Sequence, residues 1–460
     1  MPLAGPRGRV SVLVTLLAAA GVVGSSAAPA EATITCGGSD TDLIGPAFNR
    51  SSGAATSRVS VNSTGGQARG VSGTPALAAD GRLVAFHSSA ANLVPRDGNG
   101  HYDVFVRDRG AETTTRVSVA SDGTEGRRGP SLFPSTSADG RFVVFVSAAT
   151  NLIRQDVNGK VDVFVHDRAT GETQIASVSS SGVQANEDAR AATISGNGRY
   201  VALLTAASTL APGDTNGLLD VYVRDLRTKR TVRPRLSNLA RQPDGSIRAV
   251  SFSFGGRYMA FSTDADNIVA GDTNRRTDAF VFDRELRRST RVSVSSNEAQ
   301  ATSRSFRPTI SGSGRIVVFR SKASNLVPRD TNGQIDAFVR DRAIGRTRRV
   351  SVSSRGVQAN GRSYRPTLSG DGRYVVFGSS ATNLVPGDTN GVADVFLRDR
   401  LTGETKLVSI GREGQQSNGC SLSPEVDSQG PTVAFMSGAT NLVDGDSNAS
   451  PDIFVRSALP

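Results

Sequence analysis

The chain has 460 residues, 37% hydrophobic and 21% charged, so it can bury a large core. No stretch beyond the N-terminus approaches the ~20 apolar residues that a membrane-spanning helix needs. The formal charge of +11 favours anionic partners, such as acidic glycans or cell-wall polymers, over acidic calcium-gathering proteins, although biased codon usage would produce the same arginine excess, lysine being confined to Lys160, Lys229, Lys322 and Lys406.

Taken in chain order, Arg7 and Arg9, an apolar run over residues 10–23 and Ala28-Pro29-Ala30 read as a cleaved export signal over residues 1–30. The mature chain is then expected to be secreted or extracytoplasmic, with a charge of +9 once the two leader arginines are gone. Export sets nucleic acid aside as a partner. Residues 31–56, rich in Ser, Gly, Ala and Thr, read as a linker or loosely docked arm. From residue 57 to 460 the chain repeats itself. The pattern D-x-N-x-x-x-D starts at Asp97, Asp156, Asp214, Asp272, Asp330, Asp388 and Asp446, with one step of 59 residues and five of 58.

One unit carries four strand signals: Pro308-Thr309-Ile310-Ser311, Ile316-Val317-Val318-Phe319, Ala337-Phe338-Val339 and Arg349-Val350-Ser351-Val352. No 3.6-residue apolar pattern persists anywhere in it. Seven such units predict an all-β fold, a seven-bladed β-propeller with four antiparallel strands per blade. The last unit stops at Pro460 without its fourth strand, and Arg58-Val59-Ser60-Val61 matches the missing piece. The N-terminal strand is therefore expected to complete the last blade and close the ring. Cys36 and Cys420 flank this seam, and in an oxidising compartment a disulfide between them is expected, free thiols being the alternative.

The stretches Ser137-Ala138-Asp139-Gly140-Arg141-Phe142-Val143-Val144-Phe145 and Ser369-Gly370-Asp371-Gly372-Arg373-Tyr374-Val375-Val376-Phe377 are followed downstream by runs such as Asp394-Val395-Phe396-Leu397-Arg398-Asp399. Over residues 58–460 this resembles the TolB-type WD40-like (PD40) propeller repeats, whose blades carry S-P-D-G-x-x-I-A-F and then D-I-Y-x-x-D. The resemblance implies the fold. It leaves function open, because such propellers serve as periplasmic binding modules, protease domains and cell-surface scaffolds. Two departures stand out: a long loop between the second and third strands, and no companion α/β or hydrolase domain.

That long loop carries the candidate metal ligands, namely Asp97, Asn99 and Asp103; Asp156, Asn158 and Asp162; Asp214, Asn216 and Asp220; Asp272, Asn274 and Asp278; Asp330, Asn332 and Asp336; Asp388, Asn390 and Asp394; and Asp446, Asn448 and Asp452. Two readings stay open. Asn-Gly and Asp favour turns by bonding nearby backbone N–H groups, whereas D-x-N-G-x-x-D also resembles the start of calcium loops. Asp341, at the twelfth position, is excluded as a ligand because it lies about 16 Å along a strand from Asp336, on the opposite face.

Function is expected where blades differ, at the start of each first strand. There Arg190, Arg248, Arg304, Phe306, Arg307, Arg362, Tyr364 and Arg365 are the candidate ligand-binding residues, arginines for carboxylate or phosphate and aromatics for a sugar. Phe306 and Tyr364 share their column with Leu132 and Leu422, so blade packing accounts for them as well. The chain has three histidines, His87, His101 and His166, without metal spacing, and it carries no G-x-S-x-G, P-loop or Rossmann fingerprint. The expectation is a monomeric, non-enzymatic binding or scaffolding propeller at the cell envelope, meeting an envelope protein or an anionic polymer, with calcium the one cofactor suggested. The alternative is a glycan- or polymer-active enzyme using channel-face carboxylates.

Overall fold

The computed structural model describes residues 55–457 apart from Pro431, together with the backbone pairs Val12–Leu13 and Thr35–Cys36. Apart from those pairs, the leader expected over residues 1–30 and most of the arm over 31–56 lie outside the described residues. Among the described residues there is no helix, and none long and apolar enough to cross a membrane.

Seven four-stranded antiparallel sheets follow one another along the chain. In the fifth blade the strands are Ser305–Ile310, Ile316–Ser321, Asp336–Asp341 and Arg346–Arg349, paired in that order. The fold is a seven-bladed β-propeller. Its first strands are Ser72–Leu77, Ser131–Thr136, Ala189–Ile194, Ile247–Phe252, Ser305–Ile310, Ser363–Leu368 and Ser421–Val426. Each touches the first strand of the next blade and the last touches the first, so these seven strands line the central channel.

The ring closes through the N-terminal strand. Ala55–Arg58 pairs with Asp452–Ser457, so that Arg58 lies opposite Phe454, and the next residue, Val59, donates its N–H to the Ile453 carbonyl at 2.8 Å. The strand sits three residues earlier than the motif Arg58-Val59-Ser60-Val61 suggested, and so does the fourth strand of the fifth blade, which ends at Arg349. The apolar alternation after the arginine belongs to the following loop, where Val59 and Val61 are buried without extended pairing. Closure leaves no open sheet edge at the seam.

Alternating strands bury one face against each neighbour, so the core lies between blades. Val318, Val339 and Val350 of the fifth blade pack with Val375, Phe377 and Phe396 of the sixth. The same kind of cluster joins Ile453 and Val455 to Phe86 and Phe105 across the seam. Within six blades a phenylalanine of the second strand stacks on one of the third, as Phe319 does on Phe338 with centroids 5.9 Å apart. The third blade places Leu203 and Tyr222 there, and the Tyr222 hydroxyl donates to the Ala207 carbonyl at 2.7 Å. Phe338 is fully buried, so Phe338→Ala is expected to cost about 3–5 kcal/mol in denaturant melts. A loss below about 1 kcal/mol would place the core elsewhere.

Candidate functional site

Two regions gather polar chemistry: the channel face of the first strands, and the loops between second and third strands.

On the channel face, five blades carry a bulge at the third residue of the first strand, with Thr74, Phe133, Arg307, Arg365 and Ser423 at φ between 36 and 55°. A proline follows each of them and removes a ladder donor. Non-glycine residues rarely adopt this conformation, and where it persists the surroundings impose it. Blades three and four have Ala192 and Val250 in place of the proline and no such residue. The bulge at Arg365 carries its guanidinium across to the next blade, where Nη1 donates to the Ser423 Oγ at 3.3 Å.

Two residues past that serine stands Glu425, the only acid on the seven first strands. Its column is otherwise Ala76, Ser135, Thr193, Ser251, Thr309 and Thr367. Glu425 is half-buried, and desolvation pushes its carboxyl up to about 7 against the opposing pull of Arg365. His87, on the second strand of the first blade, opposes Gly73. A Cβ on Gly73 would come within 2.9 Å of the His87 Nε2, so the missing side chain is what makes room for the ring. Tyr102 and Phe133 pack edge-on to it at 5.7 and 5.8 Å. Burial, helped by the charge of Arg365, lowers the His87 pKa to about 4, so the imidazole is neutral at physiological pH, and its Nδ1 makes no hydrogen bond. Arg365, Glu425 and His87 come from blades six, seven and one, and the Arg365 charge acts on both of the others.

The other candidates scatter. Arg304 and Arg190 are exposed, and Arg248 pairs with Asp264 at 2.6 Å. Arg362 lies over the Tyr364 ring and Arg320 over Phe306, at 5.3 and 5.4 Å. Tyr364 also packs against Val392, Ala393, Cys420 and Leu422. Glu425 was missed because a lone acid in the last blade has no repeat signal; comparing the inner column across blades reveals it.

The loops answer the calcium question blade by blade. In the fifth, Asn332 Oδ1 accepts the Gln334 N–H at 2.9 Å, closing an Asx turn, and its Nδ2 donates to Asp336 Oδ2 at 2.9 Å and to the Ala359 carbonyl at 2.9 Å. Ser351 Oγ donates to Asp336 Oδ1 at 2.6 Å. The fourth position is left-handed even where Arg275 and Ala449 replace glycine, at φ of 52 and 53°, which is why Asn-Gly recurs there. Between the two carboxylates sits a guanidinium: Arg349 Nη1 lies 3.1 Å from Asp330 Oδ1 and 3.3 Å from Asp336 Oδ2. Arg116 spans Asp97 and Asp103 in the first blade, Arg291 spans Asp272 and Asp278 in the fourth, and Arg58 spans Asp446 and Asp452 in the seventh. In the third, Arg233 meets Asp220 at 3.2 Å, and Tyr222 donates to Asp214. These five loops hold their own cation, which favours the turn reading over calcium there. Asp341 instead forks onto Arg315, at 2.7 Å, and caps the following turn through the Ala343 N–H. Among the described residues no three His, Cys, Asp or Glu side chains converge as metal ligands.

Replacing Arg349 by Met should therefore leave Asp330 and Asp336 buried without their counterion, at a cost of about 3–5 kcal/mol near neutral pH. Burial already raises both carboxyls, and removing the guanidinium raises them further. A raised carboxyl contributes stability at low pH that is lost as pH rises through its folded value. The deficit in melting temperature should thus shrink on acidification, and a pH-independent deficit would contradict the counterion role.

Cys420 is nearly buried at the start of the seventh blade, and no free cysteine occurs among the described residues. The expected partner, Cys36, lies outside the described side chains.

The fold and the channel define a seven-bladed propeller protein with a single acid on its seven first strands. No family model matches the chain, and no curated protein sequence matches it. Among solved structures, an oligogalacturonate lyase in complex with manganese overlays with a TM-score of 0.54 at 12% identity, over 92% of this chain and 98% of that one. A putative TolB from Agrobacterium tumefaciens gives 0.37 at 15% identity, over 70% of this chain and 88% of that one. An acylaminoacyl peptidase from Pyrococcus horikoshii gives 0.46 at 11% identity, over 80% of this chain and 49% of that one. The last two overlays are too loose to argue from. One structure that shares the fold over nearly both whole chains is an enzyme, so the expectation of a non-enzymatic binding module is withdrawn and the enzyme alternative is taken up below. The likeness itself carries only the propeller, so the chemistry has to come from the channel.

Proposed function

We propose that the protein is an exported glycan-active enzyme built on TolB-type WD40-like repeats, acting on an anionic saccharide chain at the channel, with Glu425 as the proton-transfer group. The observation that carries the reading is a carboxyl poised near neutrality, about 7, beside an arginine in a channel with no second acid on its lining strands. Glycoside hydrolysis uses two carboxylates flanking the scissile bond, and these strands supply one. A single base beside a guanidinium suits proton abstraction next to a carboxylate. Arg365 would pair with a uronate carboxylate and stabilise the charge that develops on it. Glu425 would take the α-proton, the electron pair would form a carbon–carbon double bond, and the β carbon–oxygen bond would break. The same proton, returned from Glu425, would complete the leaving hydroxyl.

Export rests on Arg7, Arg9 and the apolar run that follows, and a Cys36–Cys420 disulfide would fit that compartment. The test is to offer the purified protein uronate-containing and neutral polysaccharides while following the ultraviolet absorbance of the new double bond. Signal from the uronate polymers alone is expected. Chain shortening without a double bond would replace elimination by hydrolysis, and no turnover on any anionic glycan would remove the reading.

A further inference from the structure

The loop of the second blade differs from the five that carry an arginine. At the position of Arg349 it has Ile175, so no guanidinium reaches Asp156 or Asp162. Asp156 Oδ1 and Asp162 Oδ2 make no hydrogen bond of ordinary geometry, the Asn158 amide acting on Asp162 only from nearby; in the fifth blade Arg349 Nη1 lies 3.1 and 3.3 Å from the corresponding Asp330 Oδ1 and Asp336 Oδ2. Asp162 is fully buried. Its Oδ1 accepts from Ser177 Oγ at 2.5 Å, so Oδ2 is the atom aimed at the missing charge. The glutamine that elsewhere donates to the first aspartate, as Gln358 does to Asp330, here turns away: Gln184 Nε2 donates to the Gln155 carbonyl instead.

The charges around this gap are negative. Asp156 and Asp188 both act on Asp162. Asp188 accepts the Val161 N–H at 2.9 Å, and Lys160 is engaged with Glu187 at 3.6 Å. Asp162 is fully buried and Asp156 half-buried, and two like charges that act on each other there repel unless a cation or a proton joins them.

We infer that the second-blade loop binds one hard divalent cation of the calcium class between Asp156 Oδ1 and Asp162 Oδ2, at the place a guanidinium nitrogen occupies in the arginine-bearing loops. Calcium takes six to eight oxygens, so water completes the shell, and with only two carboxylates the affinity falls in the range of extracellular modules, about 10⁻⁴–10⁻³ M. The sixth blade is the internal control. It too lacks the arginine, having Leu407 there, but its carboxylates are already served by neutral donors. Gln416 donates to Asp388 at 3.3 Å; Asn390, Ser409 and Ser417 donate to Asp394 at 2.7, 2.5 and 2.8 Å.

The test uses the full chain stripped with chelator and titrated with calcium chloride. The wild type is expected to melt several degrees higher in millimolar calcium, with half the effect at about 10⁻⁴–10⁻³ M. Ile175→Arg restores the residue the other blades carry; it should raise the calcium-free melting temperature and abolish the response. Leu407→Arg should leave the response intact. An unchanged wild-type melting temperature, or a full calcium response in Ile175→Arg, overturns the assignment. Asp162→Asn, whose amide keeps the shape and loses the charge, gives a second check, since retention of the full response there overturns it equally.

Discussion

Glu425→Gln is expected to lower kcat on a uronate polymer by about 10²–10⁴, the usual contribution of a positioned acid–base group, without lowering the melting temperature. The two readouts separate a catalytic role from a structural one. The Glu425 carboxyl is raised to about 7 by burial, so the stability it contributes is present at low pH and is lost as pH rises through about 7. Above that value the folded protein holds a charge it would be easier without, and the neutral amide should melt at the same temperature or higher. The wild-type rate should rise with pH through about 7 as the base ionises. Arg365→Met removes the charge that opposes the shift, so it should move this limb to higher pH and weaken substrate binding as well. A Glu425→Gln variant that turns over normally would end the proposed chemistry. So would one that is inactive only because it has unfolded.

Deleting the chain up to residue 61 is expected to abolish cooperative melting. That segment supplies the fourth strand of the seventh blade, opposite Asp452–Ser457. Thr56 Oγ1 donates to the Ile410 carbonyl at 2.7 Å, and Ser60 Oγ donates to Asp452 Oδ1 at 2.6 Å. Arg58 Nη1 sits 3.3 Å from Asp446 and 3.6 Å from Asp452. Val59 belongs to the cluster that joins the seventh blade to the first. Without the strand, the two buried aspartates lose their cation, at about 3–5 kcal/mol, and the third strand becomes an unpaired edge prone to pair with other chains. Net stabilities of folded domains are only about 5–15 kcal/mol, so the loss is large enough to open the ring. Soluble aggregates in size exclusion are the expected outcome. A truncated chain that melts within a few degrees of the full one would show that the ring does not depend on its seam. Arg58→Met, which keeps the strand, should lose only the counterion part.

The repeat made the blades legible. Each blade pairs strands that are neighbours in sequence, so the apolar runs in Ile316–Ser321 and Asp336–Asp341 are enough to place them. The fourth strand slipped because Val350 and Val352 are apolar and buried like strand residues yet serve the loop. The calcium expectation was sound for the two acids and blind to the third partner. Arg349 lies near Asp336 in sequence, but Arg58 meets Asp446 only because the ends of the chain join. Whether a given loop has its own cation is decided by one residue at or just past the end of the fourth strand, arginine in five blades and Ile175 or Leu407 in the others.

The sequence by itself determined the seven-fold repetition, the strand types and the strand that closes the ring, because hydrogen-bonded hairpins and apolar alternation are properties of neighbouring residues. Only the tertiary structure decided the channel chemistry. Glu425, Arg365 and His87 stand on three different blades, and a carboxyl is held near neutrality by desolvation and by charges through space, which depend on how the blades meet rather than on spacing along the chain.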